Sequence, residues 1–351
     1  MQPRFIPRGR TCGAHPRMSV RFLYNHMTRA AAVLALATAC FALEPEAVQL
    51  RRGEHQIEVA IGGRPFTTYY FSSAVSKPYL MPLETPSGVI VTRPFPVVND
   101  IPDGDIKDKS FEPHQRPLYF GHGNVNGLDF WEEEVFDWYM TDHARQPYGH
   151  MLLKKVEQVS QDGTAGTVRA RFRLLDPNQR QIAEETQSFT FRGDAQTRTI
   201  DCEFVVFATD GPVVFGDAKE GTFAIRLNRD LSKPNDHMLN SLGQRGEPAI
   251  WGKPADWVNY SGTVGGKPVG IVVFDAPDSF HHPTPWMARE YGLLAANPFG
   301  LRKFTGDKNK DGSWTVPEGQ SIRFRYRVVI YDGEIAPDEL AQAYAQYAAV
   351  K

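Results

Sequence analysis

A strict two-residue alternation of apolar and polar side chains dominates this chain and commits it to half-buried sheet. In Val168-Arg169-Ala170-Arg171-Phe172-Arg173-Leu174 the apolar members fall on one face and three arginines on the other. The same period returns in Ile200-Asp201-Cys202-Glu203-Phe204-Val205-Val206 and in Ile322-Arg323-Phe324-Arg325-Tyr326-Arg327-Val328. Solvent faces this rich in arginine imply antiparallel strands, since parallel sheets bury both faces. Segments 56–60, 67–71, 151–159, 184–192, 223–227, 257–263 and 269–274 read as further strands between Gly, Pro, Asn and Asp clusters. Val264-Gly265-Gly266-Lys267 predicts a tight hairpin, because adjacent glycines accept the positive φ that its turn needs. Helical periodicity is confined to 338–348, behind Pro337. The fold expected is therefore all-β: one large antiparallel two-sheet sandwich over residues 43–351, closed by a short C-terminal helix.

The first 42 residues stand apart. From Met27 onward, a basic start at Arg29, an apolar run over 30–39 and small residues before a cut after Ala42 match a secretory signal. A periplasmic or secreted location is expected, with a lipoprotein attached through Cys40 as the alternative. Residues 1–26 carry five arginines and no acid and read as an over-called start. Removing the leader changes the net charge from -2 to -8, with 33 basic against 41 acidic side chains, so no nucleic-acid partner is expected. Of three cysteines only Cys202 would remain, which excludes an intramolecular disulfide. The mean hydropathy of -0.40 and the absence of an apolar run of roughly 18 residues exclude a helical membrane span.

Two stretches interrupt the strand grammar, 114–138 and 275–300, and are expected as long functional loops flanking a cleft. The first sets His114, Arg116, His122 and Asn126 among glycines 121, 123 and 127. An imidazole moves protons near neutral pH, so His114 or His122 is the expected proton donor, while Arg116 and Asn126 hold ligand oxygens. The second contains Phe280-His281-His282-Pro283-Thr284-Pro285-Trp286-Met287-Ala288-Arg289-Glu290-Tyr291-Gly292. Here Trp286 and Tyr291 would stack on sugar C–H surfaces, with His282 and Arg289 gripping hydroxyls. Between them, Asp217, Lys219 and Glu220 precede a strand ending in Arg226. Glu220 or Asp217 is the expected base, and Lys219 and Arg226 are substrate contacts. Each stretch also has a plain structural interpretation, as turns, surface ion pairs or core aromatics. A metal held by His114, His122 and His282 is a rival, although adjacent histidines on a strand face opposite ways.

Asp307-Lys308-Asn309-Lys310-Asp311-Gly312 with Glu318 fits the calcium-loop spacing. No amphipathic helix flanks it and Pro317 precedes the glutamate, so a hairpin turn is expected. Calcium at Asp307, Asn309, Asp311 and Glu318 is the lesser alternative, and no other cofactor is expected.

The passages 121–131, 216–226 and 251–300, the last ending in Asn297-Pro298-Phe299-Gly300, resemble the bacterial family labelled methane oxygenase PmoA, a domain family of essentially uncharacterised function. The likeness covers about residues 50–335. It departs from the family pattern at Gln115 and at Met287, where histidines are usual, at Ala276, where a histidine precedes the proline, and at Pro117, where glycine is usual. The resemblance implies a supersandwich of the sugar-mutarotase type and a setting in carbohydrate metabolism. A membrane-embedded methane monooxygenase subunit is excluded by the hydrophilic sequence. The expected function is an exported protein acting on a glycan or sugar-derived small molecule through hydrolase, lyase or epimerase-type acid/base chemistry. A non-catalytic carbohydrate-binding or scaffold protein is the alternative.

Overall fold

The computed structural model describes residues 43–93, 112–135, 146–232 and 237–350. The leader, with Cys40, lies outside the described residues. The alternating segments form strands as expected, and two eight-stranded antiparallel sheets carry the fold. Numbered in chain order, the first sheet runs β1 (Val48–Arg52), β2 (Gln56–Ile61), β3 (Arg64–Tyr70), β4 (Tyr79–Met81), β5 (Leu118–Phe120), β11 (Phe223–Arg226), β16 (Leu293–Ala296) and β15 (Trp286–Ala288). The second runs β12 (Met238–Asn240), β13 (Trp257–Val264), β14 (Lys267–Asp275), β18 (Ser321–Asp332), β9 (Thr197–Phe207), β8 (Gln181–Gly193), β7 (Gly166–Leu175) and β6 (His150–Gln161). A small ribbon pairs β10 (Val213–Phe215) with β17 (Trp314–Val316). The helices among the described residues are α1 (Glu247–Ile250), α2 (Leu301–Thr305) and α3 (Pro337–Ala348).

The core lies between the two large sheets. Phe120 of β5 stacks on Phe204 of β9 at 4.4 Å, Phe223 on Tyr326 at 4.6 Å, and Tyr69 meets Phe189 edge-on at 5.0 Å. Truncating any of these phenylalanines to alanine is worth about 3–5 kcal/mol. A polar thread enters this core: Tyr69 donates to Gln187 at 2.9 Å, and Gln187 donates to Glu185 at 2.7 Å. Burial raises the Glu185 carboxyl to about 8, so it is protonated at neutral pH.

The arginine stripes cover the outer face of the second sheet, each interleaved with acids. Arg171 pairs with Glu157 at 2.8 Å, Arg327 with Asp201 at 2.6 Å and Arg325 with Asp278 at 2.7 Å. The hairpin at Gly265 and Gly266 has φ values of 56 and 81, the left-handed conformation the sequence requires there. The C-terminal helix α3 packs on the same sheet, with Tyr344 and Tyr347 against Phe274. Among the described residues, no helix is long and apolar enough to cross a membrane.

The two expected long loops are corrected. The first contains β5 and the second contains β15 and β16, which lie in the interior of the first sheet or complete its edge. Their sequences, Leu-Tyr-Phe, Trp-Met-Ala and Leu-Leu-Ala-Ala, are buried on both faces, so they carry no alternation. Residues 136–138 of the first stretch lie outside the described residues.

Candidate functional site

Alternation along these short strands turns Leu118, Phe120, Phe223, Ile225 and Leu294 into the sandwich core. It leaves Tyr119, Ala224, Met287, Leu293 and Ala295 on the outer face of the first sheet. Arg226 follows Ala224 by two residues and emerges on that same face. The turn between β15 and β16 closes when the Arg289 amide donates to the Leu293 carbonyl at 2.8 Å. Gly292, at φ 92, supplies its left-handed step. This turn carries Tyr291 and Arg289 over the end of β11.

Cations and rings alternate there. The Arg226 guanidinium lies 4.6 Å from the Tyr291 ring centroid and donates to the Tyr291 carbonyl. Arg289 lies 5.1 Å from the same ring and 5.0 Å from that of Trp251. Glu247 of α1 holds Arg289 at 2.8 Å. Glu247, Trp251, Arg289 and Tyr291 line an open depression of about 680 Å³. Behind it, Gln115 donates to the Tyr291 hydroxyl at 3.4 Å, and His114 Nε2 lies 3.7 Å from a Glu112 carboxylate oxygen. Arg93 joins them by donating to the Glu112 carbonyl at 3.0 Å.

A buried ion cluster underlies this assembly. Arg116 makes a two-pronged contact with Glu133, at 2.7 and 2.6 Å, and Lys77 reaches Glu133 at 3.1 Å. The Arg116 guanidinium lies over the Tyr79 ring and the Lys77 ammonium over the Tyr119 ring, each at 4.9 Å. Burial alone would raise the Glu133 carboxyl, but Arg116 and Lys77 outweigh it and hold it at about 2. Burial lowers Lys77, with Glu133 opposing the shift.

His114, Arg116, Arg226, Arg289 and Tyr291 thus share one face of the first sheet. The other residues singled out in the sequence lie elsewhere and do different work. His122 is fully buried against Phe215 and Phe299, and its Nε2 donates to the Gly216 carbonyl at 2.7 Å. A carbonyl only accepts, so this neutral ring carries its proton on Nε2. Burial lowers it to about 4, which makes it a poor proton donor at neutral pH and corrects that expectation. Trp286 is likewise corrected as a stacking surface: it is 0% exposed, and its indole donates to the Ala255 carbonyl at 2.7 Å.

Asp217 accepts from the amides of Arg302 and Gly312 at 2.9 and 2.7 Å, clamping the 301–312 segment. Lys219 and Glu220 pair with each other as a half-exposed couple. Asn126 accepts from the Val214 amide at 2.6 Å and donates to the Pro212 carbonyl at 3.2 Å, as a turn side chain does. His282 is held by buried Asp275 at 3.0 Å, and that hydrogen bond raises its imidazole. The three histidines of the metal alternative therefore do not meet. In the calcium-like loop, Asp307 accepts from the Asn309 amide at 2.9 Å and Asp311 from the Ser313 amide at 3.0 Å. Among the described residues, no three His, Cys, Asp or Glu side chains group as metal ligands.

With this geometry in place, comparison with known proteins identifies the lineage. The model of a family of unknown function, DUF6807, matches residues 56–345. The chain belongs to the DUF6807 family. No curated protein matches it. Among solved structures, a galactose mutarotase-like protein from Clostridium acetobutylicum is 12% identical, with a TM-score of 0.37, covering 82% of this chain and 99% of that one. Heparan sulfate lyase HepC from Pedobacter heparinus is 10% identical at a TM-score of 0.30, covering 80% of this chain and 31% of the lyase. An alpha-galactosidase from Lactobacillus brevis is 9% identical at 0.31, covering 86% of this chain and 41% of that chain. The family description assigns no activity, so the site of this DUF6807 chain is read from its own chemistry.

Several of its residues carry no sequence signal. Lys77 and Glu247 reach the site from segments with no motif, while Tyr119, Glu133 and Trp251 lie inside stretches the sequence marks but are not themselves marked there. Glu133 sits in the acidic run Glu132-Glu133-Glu134, and only the placement of Arg116 and Lys77 against it sets it apart from its neighbours. Gln115 stood out in the sequence only as a departure from the family pattern.

Proposed function

We propose that this protein binds a carbohydrate on the outer face of the first sheet and moves a proton on it through His114. The stack of Arg226, Tyr291, Arg289 and Trp251 beside an open depression carries the proposal. Aromatic faces receive the C–H surfaces of a sugar ring, and guanidinium forks grip its hydroxyls. Glu112, 3.7 Å from His114, stands as the counter-charge to the protonated imidazole in hydrolase, lyase or epimerase-type acid/base chemistry. The proposal includes the carbohydrate setting that the sequence resemblance to the PmoA-labelled family implies, and an exported protein that meets its ligand outside the cytoplasm.

One observation favours the alternative of a non-catalytic carbohydrate binder. Three carboxylates at the site face basic side chains: Glu112 faces His114, Glu133 faces Arg116 and Lys77, and Glu247 faces Arg289. Glu290, exposed at the edge of the same depression, is the carboxylate left for a second general base. Incubating the protein with mono- and oligosaccharides and following both binding and product by NMR separates the two. A product lost at least 100-fold in His114→Gln supports the enzyme. Binding without product from any sugar supports the binder, and no binding at all contradicts both.

A further inference from the structure

Two polar atoms on this face are buried and unmet. The Tyr119 ring is wedged between Trp131, at 4.9 Å, and the Lys77 ammonium, and its hydroxyl has no hydrogen-bond partner. The Gln115 side chain gives its amide nitrogen to the Tyr291 hydroxyl, while its Oε1 is buried without a partner. Both residues are no more than 3% exposed. Both border Tyr291: Gln115 through its hydrogen bond, Tyr119 as a member of the buried cluster against which Tyr291 packs. Leaving such groups unpaired costs about 1–3 kcal/mol each, so a fold retains them where something else completes them.

The chemistry of the missing group follows from what each atom lacks. The neutral Tyr119 hydroxyl offers a proton, and Gln115 Oε1 needs one. A group that both accepts and donates satisfies the two together, and an alcohol does so. A carboxylate only accepts, and would face Gln115 Oε1 with like charge. With the Gln115 nitrogen engaged on the Tyr291 hydroxyl, it is the amide oxygen that faces the ligand, and this orientation sets the preference for an alcohol.

Resting on the ligand site proposed above, we propose that Gln115 and Tyr119 form a specificity-determining subsite that reads one hydroxyl of the bound sugar. Tyr119 donates to that hydroxyl and Gln115 accepts from it, while Arg226 and Tyr291 hold the ring beside them. The subsite favours neutral sugars over their carboxylate-bearing counterparts at this position.

The test is calorimetric titration of the full chain with glucose, galactose and mannose, their monodeoxy analogues and galacturonate, alongside Tyr119→Phe and Gln115→Met. The wild type should lose about 10- to 100-fold in affinity for one deoxy analogue of the sugar it binds. Tyr119→Phe should bind the parent sugar and that analogue within about twofold of each other. The melting temperature of ligand-free Tyr119→Phe should be unchanged or higher, because an unmet hydroxyl has been removed; a purely structural hydroxyl would lower it. Discrimination retained in both variants, or a lowered melting temperature in Tyr119→Phe, overturns the subsite while leaving the ligand site intact. Failure of the wild type to bind any of these sugars overturns the ligand site, and the subsite with it.

Discussion

Two polar regions of this protein look alike in sequence and differ in how their hydrogen bonds are spent. On the outer face of the first sheet, Arg226 and Arg93 reach carbonyls, but most contacts join side chain to side chain: Arg226 and Arg289 flank Tyr291, Gln115 reaches its hydroxyl, and buried polar atoms at Gln115 and Tyr119 remain unmet. Around Gly216, side chains serve the backbone. His122 bonds to the Gly216 carbonyl, Asp217 to two amides, and Asn297 to the carbonyls of Ala218 and Lys219. A polar side chain that completes a turn is finished once the chain has folded. One that touches only other side chains is still able to engage a ligand.

The sharpest separation of the regions comes from Glu133. Glu133→Gln leaves Arg116 and Lys77 without their counter-charge in a buried site, and should cost about 3–5 kcal/mol in a denaturant titration. Removing Arg289, the half-exposed cation of the ligand site, should leave stability nearly intact by contrast. A loss below 1 kcal/mol in Glu133→Gln would mean that the cluster is solvated rather than buried.

His122 gives the opposite region a pH signature. Burial lowers it to about 4 from an unfolded value near 6.5, so the folded protein binds fewer protons in that window. Its contribution is complete above about pH 6.5 and is lost as pH falls through about 4, amounting to about 3 kcal/mol. His122→Gln keeps a donor toward Gly216 and should flatten this acid slope in thermal melts recorded from pH 4 to 7. An unchanged slope would place the acid sensitivity elsewhere.

Affinity should divide the regions next. Arg289→Ala should weaken sugar binding by about 2 kcal/mol, roughly 30-fold, with little change in melting temperature. Asp217→Ala should do the reverse, costing about 1–2 kcal/mol of stability at constant affinity, because two amides lose their acceptor. The smallest effect is expected at Lys219, whose half-exposed pair with Glu220 is worth at most about 1 kcal/mol. Lys219→Ala should leave stability and binding within error, and a measurable loss of binding would draw the 216–222 segment into the site.

Much of the fold was legible because half-buried strands alternate. The strands around 168–174, 200–206 and 322–328, the Gly265-Gly266 turn and the terminal helix all stand where the pattern puts them. The missed strands have one cause. Strands β5, β15 and β16 are buried on both faces, so their short apolar runs read as loop, although β5 carries Tyr119 and the turn between β15 and β16 carries Arg289 and Tyr291. Arg226, Arg289 and Tyr291 were legible as a charged and aromatic constellation. Trp286 was misplaced because an indole has the same composition in a cleft as in a core, and only the alternation of β15 turns it inward. Lys77 and Glu133 meet across segments that share no motif, and no spacing announces them.

The central claim is the location of the ligand, and a crystal structure of the protein soaked in glucose, galactose and mannose tests it most directly. Ring-shaped density against Tyr291, between Trp251 and Arg226 with a hydroxyl directed at Gln115 and Tyr119, is the predicted result. Sugar density beside His122 and Glu220, or at His282, with the outer face of the first sheet empty, would contradict it.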